Sequence, residues 1–283
     1  MDKLLTFDFE VPEVETQQRI AAILSAYDDL IENNAQRIAI LEEMARRIYE
    51  EWFVNYRFPG HESRPLVESE LGLIPEGWDI LQLEDVCTRV TDGSHLSPKS
   101  VEHGLPMASV KDMHDWGINT NSCRKIDKDD YHKLVRNDCK PKLGDILIAK
   151  DGSYLKHTFV VDAEIDLVIL SSIAILRPNG KFLANQFALY LQLPQIKSRM
   201  KGYVSGVAIP RIVLRDFRRF LILIPPAKMQ KDWAEKCDPI LSLCRMLVRK
   251  NENLRQARDL LIPRLISGEL DVSTLPMPED MAA

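Results

Sequence analysis

The sequence predicts an α+β fold in which one mixed α/β domain is flanked by two long helices that pair as an antiparallel coiled coil. Two apolar repeats with a seven-residue period, one near each end of the chain, predict the helices. Short runs of apolar and β-branched residues between the repeats predict a domain rich in strands. With 283 residues, 45% of them hydrophobic, the chain is long enough to bury the core that such a domain needs.

A pattern near the start of the chain is repeated near its end. The two copies read FDFEVPEVETQQRI and FLILIPPAKMQKDW. In each copy, alternating apolar residues lead to a proline (Pro12 or Pro225), and a glutamine follows five residues later (Gln17 or Gln230). Alternation is the period of a strand and proline suits the first turn of a helix. Each copy therefore predicts a strand that leads into a helix.

The heptad positions of the two predicted helices correspond at a shift of 213 residues. They are Ile20, Leu24, Tyr27, Ile31, Asn34, Ile38, Leu41, Ala45, Ile48 and Trp52 in the first helix, and Trp233, Cys237, Ile240, Cys244, Leu247, Asn251, Leu254, Arg258, Leu261 and Leu265 in the second. This register predicts helices that pack side by side, each about 60 Å long. We expect the amides of Asn34 and Asn251 to fix the register of the pair. Gly268 predicts the end of the second helix.

The segment between the two repeats predicts a mixed α and β domain. Strands are predicted in LPMASV, GDILIAKDG, HTFVVD, VILSSIAILRP and RRFLILIPP, and a helix is predicted in NQFALYLQLPQIKSRM. Prolines and glycines directly after the first helix predict a linker.

Charge is distributed unevenly along the chain, which carries a net charge of -5. Residues 1–70 contain 7 basic and 15 acidic side chains, residues 71–225 contain 21 and 18, and residues 226–283 contain 9 of each. Basic residues are densest from Lys197 to Arg219. Such a density suits contact with several phosphates, and a solvated face is the alternative explanation.

Other compositional features point to a cytoplasmic protein with no membrane contact. No apolar run reaches the roughly 18 residues of a membrane span, and the first ten residues do not resemble a secretory signal. The five cysteines show no CxxC spacing, so we expect free thiols and no metal site.

Motifs for catalysis are not evident. The sequence contains neither GxxxxGK[ST] nor a GxGxxG motif between a strand and a helix, and no Asn or Asp precedes Pro-Pro and an aromatic residue, as a DNA amino-methyltransferase would require. We therefore predict no catalytic residues. One alternative is a self-contained sequence-specific endonuclease, in which Asp138 and Lys140 would act with magnesium. A coiled-coil scaffold without a role on DNA is another.

Several stretches, taken in order, resemble one protein family. They are PEVETQQRIAAIL, ILEEMARRIYEEWFVNY, LGLIPEGW, GDILIAKDG, and IPPAKMQ with LLIPRLISGEL. Together they are similar to the DNA specificity (S) subunit of type I restriction-modification systems over almost the whole chain. In that family, target-recognition domains alternate with long helices that pair as an antiparallel coiled coil and dock methyltransferase subunits. The resemblance implies a noncatalytic subunit that binds double-stranded DNA and directs a methyltransferase, and a restriction/translocase subunit, to a bipartite site.

The chain departs from this family pattern because it has one recognition domain where a complete member has two. The resemblance implies a strand packing on a recognition domain at 1–12, a first spacer helix at 13–56, a linker at 57–70, a target-recognition domain at 71–225, a second spacer helix at 226–269 and a flexible tail at 270–283. It also implies no cofactor in this chain, because S-adenosylmethionine is bound by the partner methyltransferase. A homodimer formed through the long helices would restore two recognition domains and read an inverted repeat. A truncated product and pairing with another fragment are the alternatives.

Candidate DNA-binding residues fall into two groups. Phosphate contacts supply affinity and register, whereas side chains that reach base edges supply sequence discrimination. For phosphates the candidates are Lys197, Arg199, Lys201, Arg215 and Arg218. For bases we favour the loops TDGSHLSPK, KDGSYLKH and KGYVSGVAIPR, with the candidates Ser94, His95, Lys99, Lys150, Ser153, Tyr154, Lys156, Tyr203 and Arg211.

Overall fold

The computed structural model describes residues 11–151, 156–206 and 211–275. The chain divides into two compact units, each described by itself below. One unit is Ala45–Pro239, and the other consists of the residues up to Met44 together with those from Ile240 onward. Most of the strand predicted at 1–12 lies outside the described residues.

The two long helices predicted from the heptads are confirmed. Helix α1 spans Val14–Phe53 and helix α6 spans Ala227–Ile266. Neither these nor any other helix of the described residues is apolar enough over its length to cross a membrane.

The two helices begin in the same way, as the repeated pattern predicts. The Gln17 side-chain amide donates a hydrogen bond to the carbonyl oxygen of Pro12 at 2.8 Å, and that of Gln230 donates to the carbonyl oxygen of Pro225 at 2.9 Å. Each glutamine thus folds back over the first helical turn and fixes the direction in which the chain enters the helix. The repeated sequence pattern therefore corresponds to a hydrogen bond that occurs at the start of both helices.

Gly268 ends the second helix, as predicted. Its φ of 72° is left-handed, a conformation that favours glycine. Beyond it, the Leu270 N–H donates to the carbonyl oxygen of Arg264 at 3.0 Å, which satisfies one of the last helical carbonyls.

In the unit formed by the residues up to Met44 and from Ile240, the heptad positions are all buried or half-buried. The two asparagines at these positions are each only 3% exposed. Asn34 Nδ2 donates to Asn251 Oδ1 at 2.8 Å, and Asn251 Nδ2 donates to the Ile31 carbonyl oxygen at 3.0 Å. A second link joins Arg258 to Asp28. Two of the predicted seam positions, Asn34 and Asn251, therefore contact one another in this unit.

The main sheet of the other unit has four antiparallel strands in the order β10-β9-β12-β4. Its strands are β4 (Cys87–Asp92), β9 (Ile146–Ala149), β10 (Thr158–Val160) and β12 (Ile173–Pro178). All four residues of β9 are fully buried, because this strand lies between β10 and β12 and its side chains are covered on both faces. Buried apolar runs of this kind were the clearest strand signal in the sequence.

A second sheet has three strands in the order β11-β5-β8. These are β5 (Leu105–Ala108), β8 (Arg124–Ile126) and β11 (Val168–Ile169), with β11 parallel to β5. The sequence predicts one strand over VILSSIAILRP, but the structure divides it into β11 and β12. A turn separates them, in which the Ile173 N–H donates to the Leu170 carbonyl oxygen at 3.0 Å. The turn allows the two halves to join different sheets.

Four two-stranded ladders complete the strands. They pair β1 (Leu66–Ser69) with β2 (Gly72–Pro75), β3 (Asp79–Gln82) with β15 (Leu221–Ile224), β6 (Met113–His114) with β7 (Gly117–Ile118), and β13 (Val204–Ser205) with β14 (Arg211–Ile212). Strand β1 lies within the stretch 57–70 that the sequence predicts to be a linker, so strand structure begins before residue 71.

The described residues of this unit form four shorter α-helices: α2 (Lys128–Arg136), α3 (Ala184–Gln192), α4 (Pro194–Met200) and α5 (Leu214–Phe217). The sequence predicts one helix where α3 and α4 occur. Pro194 begins a new helix instead, because a proline disfavours helical backbone in the residue before it. Leu193 accordingly has ψ of 137° and interrupts the helix.

Aromatic side chains pack where α1 ends and α6 begins within the same unit. Tyr49 and Phe53 of α1 lie 5.8 and 6.3 Å, between ring centroids, from Trp233 of α6. Phe53 also lies 5.9 Å from Trp78, which precedes β3. All four rings are buried. Edge-to-face contacts of this kind add about 0.5–1.5 kcal/mol each beyond the area that they bury.

The five cysteines are free and buried, as predicted. Burial raises the pKa of Cys87 to about 12 and the pKa of Cys244 to about 11. The thiols are therefore protonated at neutral pH and pack as small apolar groups.

Candidate nucleic-acid interface

The four-stranded sheet brings the loops after β4 and β9 to one edge. Asp92, at the end of β4, is paired with Ala174 near the start of β12. Ala149, at the end of β9, is paired with Ile173 at the start of β12. Since β4 and β9 are both antiparallel to β12, they end at the same edge. The loops TDGSHLSPK and KDGSYLKH therefore leave the sheet on either side of the start of β12.

The third predicted loop, KGYVSGVAIPR, joins this edge through β14. Arg211 forms an antiparallel β-bridge with Asp151. Next to it, the Ile212 N–H donates to the carbonyl oxygen of Lys150 at 3.1 Å. The structure thus brings together described residues from each of the three loops that the sequence predicts for base reading. We call this region the loop edge: residues 92–99, 150–151 and 211–212.

Lys150 and Ser94, both predicted to read bases, are buried and make their polar contacts inside the domain. Lys150 is 5% exposed, and its Nζ lies 2.6 Å from Asp92 Oδ2. Ser94 is 6% exposed, and its hydroxyl donates to the Leu96 carbonyl oxygen at 2.8 Å while accepting from the Leu96 N–H at 3.0 Å. The prediction that these two side chains face DNA bases is at odds with their burial. The sequence of a glycine-containing loop does not reveal whether its lysine and serine side chains point toward solvent or into the domain.

Gly93 is required by a close approach of two backbones. A Cβ atom at this position would lie 2.1 Å from the Ile169 carbonyl oxygen and 2.6 Å from that of Leu170. The absence of a side chain lets the Ser94 N–H donate to the Ile169 carbonyl oxygen at 2.8 Å. The loop after β4 is therefore anchored to the turn between β11 and β12.

Arg124 holds the far part of the same loop. From β8, its Nη1 donates to the Pro98 carbonyl oxygen at 2.8 Å and its Nη2 donates to Ser97 Oγ at 2.9 Å. These two bonds fix the backbone next to Lys99, whose side chain is exposed. Arg124 is not among the residues predicted from the sequence, because its role depends on a contact between distant parts of the chain.

Most of the other predicted residues are exposed. These are His95, Lys99, Lys156, Arg199, Lys201, Arg211, Arg215 and Arg218, whereas Lys197 and Tyr203 are half-buried. Ser153 and Tyr154 lie outside the described residues. Desolvation lowers the pKa of Lys197, against the smaller opposing effect of Asp115.

Two of the predicted phosphate contacts also hold the fold. Arg199 donates to the Leu221 carbonyl oxygen at 2.8 Å, and its guanidinium lies 4.7 Å from the centroid of the Phe220 ring. Arg218 donates to the Val90 carbonyl oxygen at 2.9 Å. Together with Glu84 and residues of β4, Arg218 lines a polar groove of about 470 Å³.

Asp138 and Lys140, the pair that an endonuclease would use, do not form a metal site. Lys140 pairs with Asp166 at 2.9 Å, and Asp138 pairs with Arg89, Lys142 and Arg177 at 2.9–3.2 Å. Burial acts to raise the pKa of Asp138, but hydrogen bonds from Lys142 and Arg177 outweigh it and lower the pKa.

The location of Asp138 gives it a structural role. It follows α2 with a left-handed φ of 58°, and its N–H donates to the Val135 carbonyl oxygen at 3.0 Å, so it terminates that helix. Within 11–151, 156–206 and 211–275, no group of three or more His, Cys, Asp or Glu side chains is arranged to hold a metal ion. The endonuclease alternative therefore has no support from the described residues.

The described residues define a mixed α/β domain that lies in the sequence between two long helices. The chain belongs to the family described as type I restriction modification DNA specificity domain, whose profile matches residues 75–255. The matched segment contains all of the loop edge.

Relatives of this chain are type I specificity subunits. The chain is 27% identical over 271 residues to the type I restriction enzyme MjaIX specificity subunit of Methanocaldococcus jannaschii, with 93% of this chain and 61% of the relative covered. It is 20% identical over 333 residues to the HindI specificity subunit of Haemophilus influenzae, with 95% and 70% covered. The chain thus spans about three fifths of the length of the M. jannaschii relative.

The solved type I restriction-modification S subunit from M. genitalium matches with a TM-score of 0.55 and 17% sequence identity, over 90% of this chain and 60% of that chain. At this identity the match shows a shared fold.

Proposed function

We propose that this chain is the noncatalytic DNA-recognition component of a type I restriction-modification assembly. It binds double-stranded DNA and directs a partner methyltransferase, and a restriction subunit, to a bipartite site. The observation that carries the proposal is the convergence of three loops on one sheet edge inside the segment that matches the DNA specificity family. In this proposal S-adenosylmethionine binds to the methyltransferase, and the assembly works in the cytoplasm.

The proposal divides the exposed residues between two roles. Arg211 is exposed at the loop edge and Lys156 is exposed two residues before β10, and we assign their donors to base edges in the major groove. Lys201 and Arg215 are exposed outside the loop edge, and we assign them to phosphates. Lys150, in contrast, is assigned to holding the loops in place.

A salt titration of DNA binding tests these roles. With the partner methyltransferase present, Lys201→Ala should weaken binding to all sequences alike and reduce the slope of log K against log salt by about one. Arg211→Ala should weaken binding to the preferred site by about 1–3 kcal/mol more than binding to scrambled DNA. Lys128→Ala, at an exposed position on α2, is the matched control and should change neither quantity. Binding that ignores sequence in the wild-type chain would favour the scaffold alternative.

We further propose that α1 and α6 pair as an antiparallel coiled coil, through which two copies of the chain form a homodimer with two recognition domains. Support comes from the order of contacts in the unit that contains Asn34. Asp28 meets Arg258, whereas Asn34, later in α1, meets Asn251, which comes earlier in α6. Partners that run in opposite order along the two helices are typical of an antiparallel pair.

The asparagine pair gives a stability test of this proposal. Asn34→Leu should lower the free energy of unfolding by about 1–3 kcal/mol, because buried Asn251 Oδ1 loses its donor. The double variant Asn34→Leu/Asn251→Leu should recover that loss, since it leaves no amide at either position. Urea unfolding followed by circular dichroism measures both. A single variant as stable as the wild type would contradict a buried seam at these positions.

A further inference from the structure

Lys150 belongs to one part of the loop edge and contacts the other two, at Asp92 and at Ile212. We propose that Lys150 is a positioning residue, which fixes the relative geometry of the loops so that they present one DNA sequence preference. This inference rests on the proposed function, because it assigns to Lys150 the specificity of that same site. It differs from the sequence-based expectation, in which the lysine itself touches a base.

The contacts of Lys150 use its side chain and both of its backbone polar groups. Its Nζ lies 2.6 Å from Asp92 Oδ2, at the start of the first loop. Its N–H donates to the Ser172 carbonyl oxygen at 2.9 Å, beside the start of β12. Its carbonyl oxygen accepts from the Ile212 N–H at 3.1 Å, at the end of the third loop. One residue thus links the strands from which the loops emerge.

Asp92 extends this network to an exposed side chain. Its second oxygen, Oδ1, lies 3.2 Å from His95 Nε2, and the His95 side chain is 75% exposed. The carboxylate therefore holds the buried ammonium group on one side and orients the exposed imidazole on the other. A displacement of Lys150 would therefore be transmitted through Asp92 to the exposed side chain of His95.

Burial indicates that this ion pair serves more than stability. The side chains of Lys150 and Asp92 are 7% and 14% exposed. Removing two charges from water is unfavourable, and an apolar pair of similar volume is often at least as stable. What an apolar pair lacks is a preferred direction, because only the charged hydrogen bond fixes the separation and angle of the two strand ends. Positioning of the strand ends therefore explains why a buried ion pair occurs here, which its contribution to stability alone does not explain.

Hydrogen exchange on the full chain tests the positioning directly, without DNA. In Lys150→Met, the Ser94 and Ile212 amides should exchange at least about tenfold faster than in the wild type, since the links that protect them are loosened. Asp92→Leu/Lys150→Met provides a second variant, expected to fold if the single variant does not, because it also removes the Asp92 carboxylate and leaves only the more distant Asp151, 3.8 Å from Lys150 Nζ, without this cation. Lys128→Met is the control for loss of a lysine charge. Unchanged exchange at both amides in the double variant would overturn the inference.

Selection from a randomised duplex library, with the partner methyltransferase present, tests the consequence for recognition. Wild type should select one motif, whereas both variants should lose preference at several positions of that motif and bind scrambled DNA within about twofold of wild type. If both variants select the wild-type motif, Lys150 does not set specificity and the inference fails. If the wild type selects no motif, the proposed function itself fails, and the exchange result then shows separately whether Lys150 holds the loops.

Discussion

Replacing Arg177 by methionine is expected to lower the free energy of unfolding by about 3–5 kcal/mol, because it leaves the buried carboxylate of Asp145 without its cation. From β12, Arg177 Nε and Nη2 donate to the two oxygens of Asp145 at 2.8 and 2.9 Å, and Nη1 donates to Asp138 at 3.2 Å. Asp145 is fully buried. Hydrogen bonding to Asp145 raises the pKa of Arg177 despite the opposing effect of desolvation, so the guanidinium remains charged.

Chemical denaturation of matched variants measures this effect. Arg215→Met removes the same charge at a position where the side chain is 88% exposed. It should change the free energy of unfolding by no more than about 0.5 kcal/mol. In the double variant Arg177→Met/Asp145→Leu, much of the loss should be recovered, because the unpaired carboxylate is removed as well. Equal stabilities of Arg177→Met and Arg215→Met would show that the buried ion pair does not form.

A methyl group at Gly93 is expected to destabilise the domain by at least about 3 kcal/mol, since the atoms that it would meet are backbone atoms of the opposite turn and have little freedom to move. The added Cβ would lie 2.1 Å from the Ile169 carbonyl oxygen. To relieve that contact, the loop after β4 must move away and the Ser94 hydrogen bond to Ile169 must lengthen. Gly93→Ala should therefore also lose selective DNA binding.

Gly202→Ala is the control for this substitution. A Cβ at Gly202 would meet no heavy atom within 4 Å, so its effect should lie within about 1 kcal/mol of zero. Thermal unfolding of the two variants side by side gives the comparison. If Gly93→Ala had the same melting temperature as Gly202→Ala, the result would contradict the close approach of the two backbones.

Local patterns in the sequence were sufficient for the long helices and most strands. The heptads, which run from Ile20 to Trp52 and from Trp233 to Leu265, predict two long helices, and the structure has helices at Val14–Phe53 and Ala227–Ile266. The repeated pattern of proline and glutamine predicts that the chain enters a helix at each place, and the structure adds the hydrogen bond from each glutamine to the proline five residues before it. Interactions of such short range are encoded in adjacent residue types.

Long-range contacts explain what the sequence did not reveal. The three loops were predicted separately, but their meeting at one edge depends on strand pairing and on the hydrogen bond from Ile212 to Lys150. The burial of Lys150 follows from its pairing with Asp92, which lies in another strand. A repeated signal was present, since Asp-Gly-Ser occurs at 92–94 and 151–153. This repeated tripeptide marks corresponding positions in two of the loops, but it does not reveal which side chains turn inward.

Methylation sequencing at base resolution tests the central claim most directly, namely that a single recognition domain reads DNA and is used twice by two copies of the chain. The experiment compares cells that carry this chain and its partner methyltransferase with cells that carry the methyltransferase alone. We predict a methylated motif that appears only with the chain and consists of two inverted half-sites separated by a nonspecific spacer. An asymmetric motif, or methylation that is the same without the chain, would contradict the account.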